Sequence, residues 1–140
     1  MVSGFGSFLA MVAEVSVTPA AHVQVQRVVC ALDCGIAVNP DVVKAQIEGG
    51  VIFGLSAVFH GKITVARGRV EQGNFDNYPV LRMREAPRIE VHLVASSAAP
   101  GGVGEPGTSG IFPAVTNAIF AATGKRVTTL PVDPAQLRSA

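Results

Sequence analysis

One carboxylate has an unusual setting. Glu105 stands in Pro100-Gly101-Gly102-Val103-Gly104-Glu105-Pro106-Gly107, among four glycines and two prolines. Pro106 biases the residue before it towards an extended backbone. Gly104 and Gly107 allow the main chain to lie close to a bound group. A lone carboxylate held at the mouth of a helix, with few competing partners, has what a general base needs. The plainer alternative is a Gly/Pro turn whose Glu faces water.

A second polar group lies in Gln46-Ile47-Glu48-Gly49-Gly50. A glutamine on a glycine-rich helix can offer both an amide donor and an acceptor to a heterocycle. The alternative is an exposed polar helix face. The other chemistry-bearing residues are scattered. His22 and His60 fall at turns and His92 on the polar side of a strand, so they do not form a metal site. Cys30 and Cys34 have three residues between them, neither a CxxC redox pair nor a usual zinc spacing. They read as small buried thiols. No Ser/His/Asp constellation and no phosphate-loop pattern is present.

These residues need elements to hold them. Leu9 to Val17 alternates loosely and predicts a strand. Val23 to Val29 predicts a second strand, returning on the first as a hairpin after Thr18-Pro19-Ala20-Ala21. Asn39-Pro40 is a helix start, with Asn to cap free N–H groups and Pro pre-set for the first helical position. Val43, Ile47, Val51 and Leu55 then form one apolar stripe. Gly49, Gly50 and Gly54 lie inside that helix, each at a cost of roughly 1 kcal/mol relative to Ala. Their presence predicts a close neighbour, either another backbone or a bound group. Lys62 to Glu71 reads as a short hairpin around Arg67-Gly68, and Asn74 to Pro87 as an ordered loop. Ile89, Val91 and Leu93 mark another strand. Ser96 to Gly110 reads as a long loop, and Ile111 to Thr123 as a second helix with Phe112, Val115, Ile119 and Ala122 on its apolar side. Gly124 suits a left-handed C-cap, with Lys125 and Arg126 beside the negative helix end. The tail, residues 131–140, is expected to fray. The class is α+β: mixed or antiparallel strands with two main helices.

Composition narrows the function classes. The chain has 140 residues, 49% hydrophobic and 15% charged, with a formal charge of +1. Such an apolar, weakly charged chain is not disordered. It offers no broad electrostatic case for nucleic acid or an anionic membrane. The longest apolar stretch, Gly49 to Phe59, is too short for a membrane span. The start, Met1 to Phe5, lacks the basic residues of a secretory signal. A domain this small leaves much of its surface in water, so the apolar excess predicts a covering partner and, without one, self-association.

Taken together, several segments resemble a family. Val29-Cys30-Ala31-Leu32-Asp33-Cys34-Gly35-Ile36-Ala37-Val38-Asn39-Pro40 is followed by Gln46-Ile47-Glu48-Gly49-Gly50, then by Gly102-Val103-Gly104-Glu105-Pro106-Gly107 and by Asn117-Ala118-Ile119-Phe120-Ala121-Ala122-Thr123-Gly124. That order is similar to the large subunits of molybdenum hydroxylases, the xanthine dehydrogenase and aldehyde oxidase family. Asn74-Phe75-Asp76-Asn77-Tyr78 and Leu81-Arg82-Met83 resemble its branch of isoquinoline 1-oxidoreductase beta subunits. The likeness runs from about Gly4 to Pro131.

The resemblance implies roles by position. Glu105 matches the family's catalytic glutamate, the base in a hydroxylation whose oxygen comes from water. Gln46 matches a glutamine that hydrogen-bonds the pterin. Gly104 matches the residue beside the base, where backbone passes near the metal. The pterin dithiolene holds the molybdenum, so no protein metal ligands are implied. Iron–sulfur clusters are implied on a small partner subunit, and the substrate is a small N-heterocycle or aldehyde. Family large subunits are several times longer. Residues 1–140 therefore match a C-terminal fragment of the second, molybdopterin-binding domain, not expected in that form to be active alone and needing the rest of the subunit or an upstream-encoded chain. Two other readings stand beside this one: a non-catalytic remnant or interaction module that keeps the fold without cofactor, and an unrelated α+β binding domain.

Overall fold

The computed structural model describes residues 1–138. Strand β1 (Val2–Gly4) turns through Phe5 and Gly6, both at positive φ, into β2 (Ser7–Val17). Two such residues in a row match the right-handed twist of the flanking strands. After the turn at residues 18–22, β3 (Val23–Asp33) pairs antiparallel with β2, with a bulge near Glu14 and Val15. The hairpin expected from the alternating residues is therefore present and extends to Asp33.

Helix α1 (Pro40–Phe59) starts where the sequence indicates. Asn39 Oδ1 accepts from the N–H groups of Asp41 and Val42, at 3.1 and 3.2 Å. Val43, Ile47, Val51, Leu55 and Val58 are buried as one stripe. By length and composition α1 is apolar enough to cross a membrane, and it is longer than the apolar run alone suggests. Here it is a core helix, packed against α2 (Pro106–Thr123), which also packs on β2.

The short pair β4 (Val65–Ala66) and β5 (Arg69–Val70) forms the expected hairpin at Arg67-Gly68. Strand β6 (Arg88–Leu93) joins the main sheet parallel to β3, giving the order β1-β2-β3-β6. Both main helices cover one face of this mixed sheet. Leu9, Val28, Cys30 and Leu32 meet Ile47, Leu55, Ile111 and Ile119 in the core. The α+β class read from the sequence is the class observed.

Three expectations need correction. Helix α2 begins at Pro106, not Ile111, so the long loop ends at Glu105. Gly107 and Gly110 are poor helix formers, but both are buried by packing that overrides the preference. Glu105 is not extended: its φ of −100° and ψ of −26° are helical. Its carbonyl accepts from Ser109 N–H at 3.1 Å, which draws it into the first turn. The tail is also ordered as far as it is described. Val132 and Leu137 are buried, Val132 N–H donates to Val58 O at 2.8 Å, and α3 (Pro134–Leu137) is capped by Asp133. Residues 139–140 of that tail lie outside the described residues. The C-cap of α2 follows expectation, with Gly124 at φ 70° and its N–H donating to Phe120 O. Arg126 stacks over the Phe120 ring at 3.6 Å.

Candidate functional site

Glu105 is placed by constraints on both sides. Upstream, the loop is pinned between two turns. Ile36 N–H donates to Ala98 O and Gly101 N–H to Cys34 O, while Gly102 N–H donates to Phe5 O at 2.7 Å. The fit allows no side chain at two points. A Cβ on Gly35 would collide with the Ala98 and Ala99 carbonyls, and one on Gly101 with Ser7 Oγ and the Gly6 carbonyl. Gly35 also has φ of 69°, a region L side chains rarely adopt. Asp33 stabilises this turn by accepting from Gly35 N–H at 3.0 Å.

Downstream, the start of α2 lies against α1. A Cβ on Gly107 would sit 2.7 Å from Ile47 O, and one on Gly50 would sit 3.2 Å from Gly107 Cα. Thr108 Oγ1 donates to Gly50 O at 3.1 Å. Further along, Gly54 faces Ile111. The two helices thus run in the same sense at this crossing. The close neighbour inferred for the glycine-rich helix is, at Gly50 and Gly54, the backbone and first turns of α2. Gly49 is different, since a Cβ there would meet nothing within 4 Å.

The crossing brings the α1 turn carrying Gln46 to the end of α2 carrying Glu105. Both side chains are exposed, as is Glu48. Glu105 forms no side-chain cap on α2. Of the first N–H groups of α2, Pro106 has none and Ser109 donates to the Glu105 carbonyl, which leaves those of Gly107 and Thr108, at the contact with α1. Gly104 is exposed, and a Cβ on it would meet nothing within 4 Å. The site is therefore an open corner, with Glu105 facing water.

The two cavities described lie elsewhere. One, of about 390 Å³, sits at the far end of the β2–β3 hairpin and is lined by His22, His60, Phe59, Arg84 and Val132 among others. The other, of about 610 Å³, runs between Ala45, Glu48, Gly49 and Ile52 of α1 and the 81–89 segment. Among the described residues no three His, Cys, Asp or Glu side chains gather as a metal site. Cys30 and Cys34 are free and buried, and burial pushes the Cys30 thiol up to about 11.

Two residues that shape this corner carry no distinctive sequence signal. Ser7 is 2% exposed, and among the described residues its hydroxyl has no hydrogen-bond partner. It fills the space that Gly101 leaves. Thr108 ties α2 to α1 within the run Gly107-Thr108-Ser109-Gly110. The main charged cluster is remote, on the outer sheet face. Arg27 donates to Glu90 at 2.8 and 3.0 Å and to Glu14 at 2.8 Å. Hydrogen bonding from Arg27 holds the Glu90 carboxyl below the usual carboxylate range.

Residues 3–87 match the family described as "Molybdopterin cofactor-binding domain". The chain is 43% identical over 128 residues to the beta subunit of isoquinoline 1-oxidoreductase of Brevundimonas diminuta, covering 91% of this chain and 16% of that protein. It is 31% identical over 103 residues to the large subunit of nicotine 6-hydroxylase of Paenarthrobacter nicotinovorans, covering 69% of this chain and 13% of that protein. Reconstituted CO dehydrogenase from Oligotropha carboxidovorans shares the fold, with a TM-score of 0.81 at 21% identity over 94% of this chain and 18% of that one. The chain thus spans about one sixth or less of the curated relatives it matches.

Proposed function

This chain belongs to the molybdopterin cofactor-binding domain family, and from that premise we propose that it is the C-terminal part of the cofactor-binding subunit of a molybdenum hydroxylase, acting on an N-heterocycle or an aldehyde. In this reading residues 1–140 form one wall of the cofactor site, and the rest of the subunit, or a chain encoded upstream, forms the other. A small subunit with iron–sulfur clusters takes the electrons.

The observation that carries the reading is the placement of Glu105. Among the described residues its carboxylate has no partner, while its backbone is fixed by the pinned loop on one side and the Gly50–Gly107 contact on the other. A base needs a fixed position and a free acceptor. The corner also fits the bulky group that the family binds. Gly104 leaves its approach open, and Gln46 presents an exposed amide on the adjoining turn.

When bound, the molybdenum–pterin group supplies a centre that delivers water-derived oxygen and accepts an electron pair from the substrate carbon. Within this chain, Gln46 orients the pterin through its amide, which can donate and accept. Gly104, where a Cβ would meet nothing within 4 Å, would let the main chain pass close to the bound group. Glu105 would serve as the base, its carboxylate taking up the proton that water gives up and passing it to solvent. Its exposure is the state before the second wall is in place, and that wall excludes the water which would otherwise compete for the carboxylate.

A second reading rests on the exposure of Glu105 and Gln46 and on the absence of both from the lining of the two cavities. It makes the chain a remnant or interaction module that keeps the fold without cofactor. Molybdenum and pterin content separates the two. Molybdenum found only when the chain is co-expressed with the upstream reading frame supports a divided hydroxylase. Molybdenum absent from both preparations favours the remnant.

A further inference from the structure

The outer face of the sheet breaks the pattern expected of a two-layer fold. A sheet with one face in water alternates apolar inward and polar outward residues. On β2 the inward residues are Ser7, Leu9, Met11 and Ala13, and the outward ones are Phe8, Ala10, Val12 and Glu14. On β3 the outward residues include Val29 and Ala31. Ala10 pairs with Ala31 and Val12 with Val29. Phe8 and Val12 are 51% and 65% exposed. On β2 and β3 this half of the outer face is an apolar strip, the composition of strands covered on both sides, edged by Asp33 opposite Phe8 and by Glu90 and His92 of β6 beside Val29 and Ala31.

The other half of the outer face is polar and self-satisfied. Arg27 joins Glu14 and Glu90, Arg88 adds a contact to Glu90, and Gln26 donates to Ser16. The boundary falls between Val12 and Glu14 on β2 and between Val29 and Arg27 on β3. The apolar half is the end next to Phe5 and Gly102, the clamp that leads to Glu105.

We propose that Phe8, Ala10, Val12, Val29 and Ala31 dock the portion of a molybdopterin-binding subunit that the relatives carry and this chain does not span. That portion is most of the molecule in those relatives, since the matched stretch is 16% and 13% of their length. The occupant's contact chemistry is apolar. The two alanine side chains make a low floor between Phe8 and Val12 that receives larger aliphatic or aromatic groups. The Glu14–Arg27–Glu90 cluster is already paired, so it forms the rim and asks for no partner charge. This inference rests on the function proposed above.

The test uses the assembly recovered through a tag on this chain from the cells that make it. Val12→Cys is labelled with a maleimide in the assembly and in the chain alone; Cys30 and Cys34 are buried and stay silent. Labelling about tenfold slower in the assembly, with Gln24→Cys on the polar half changed by less than about twofold, is the expected result for a buried interface core and an open surround. Val12→Lys should also lose the co-purifying polypeptide, identified by its sequence as a molybdopterin-binding subunit, while Gln24→Lys keeps it. Circular dichroism reports whether either variant has unfolded. Equal labelling in both states overturns the proposal, as does a Val12→Lys assembly recovered at the wild-type level. Protection in the chain alone, with a dimer in sedimentation, makes the occupant a second copy and overturns it too. A chain recovered only by itself, with Val12→Cys fully reactive, overturns both the interface and the function proposed above. An assembly that protects Val12 but holds no molybdenum leaves the interface standing and removes that function.

Discussion

Gly107 of α2 lies so close to α1 that a Cβ on it would sit 2.7 Å from the Ile47 carbonyl oxygen. The neighbour is backbone, so it cannot rotate away. Gly107→Ala must push the start of α2, and Glu105 with it, off α1. Forcing an extra carbon into a packed contact costs about 1–3 kcal/mol. We expect a loss of that size in urea unfolding.

Gly49 predicts the opposite sign on the same helix. A Cβ added there would have no neighbour within 4 Å. In the chain alone, Gly49→Ala should gain up to roughly 1 kcal/mol, the propensity difference for an open helical site. The same denaturation series measures both. A gain at Gly107, or a loss at Gly49, would contradict this packing of α1 and α2.

Acid should weaken the β3–β6 pairing. Arg27 bonds both carboxylate oxygens of Glu90, which holds that carboxyl below its ordinary value of 4.5. A lowered folded value means that the contribution is complete above 4.5 and is lost as pH falls through the folded value. Melting temperature should therefore drop as pH is lowered below that range. Glu90→Gln should be less stable near neutral pH and show a shallower acid dependence. An identical acid profile in both proteins would mean that this pair does not set the acid response.

Cys30 should be inert in the folded chain. Burial pushes its thiol up to about 11, so little thiolate is present at pH 8. A disulfide reagent at that pH should titrate Cys30 only after denaturant is added. Rapid reaction in native buffer would place Cys30 outside the core.

Local signals were legible in the sequence, and long-range ones were not. Asn39-Pro40 located α1 because the cap acts over three residues. The spacing of Val43, Ile47, Val51 and Leu55 marked its buried face for the same reason. The Gly/Pro run singled out Glu105, and the glycines of α1 announced a close neighbour. The start of α2 was misplaced because Gly107 and Gly110 argue against a helix until α1 and β2 are packed beside them. The helical turn at Glu105 arises from the same packing. The parallel pairing of β6 with β3 brings Glu90 to Arg27, 63 residues away, and no periodicity reports that. Ser7 and Thr108 are ordinary hydroxyl residues until the fold surrounds them.

The central claim is that Glu105 is the base of an assembled molybdenum hydroxylase. The direct measurement is turnover of Glu105→Gln in the complete enzyme, with molybdenum and pterin quantified in the same preparation. Gln keeps the shape and removes the proton acceptor. We predict cofactor content at the wild-type level and turnover lower by about 10²–10⁴-fold, the usual contribution of a positioned base. Turnover near the wild-type rate, with cofactor retained, would contradict the claim.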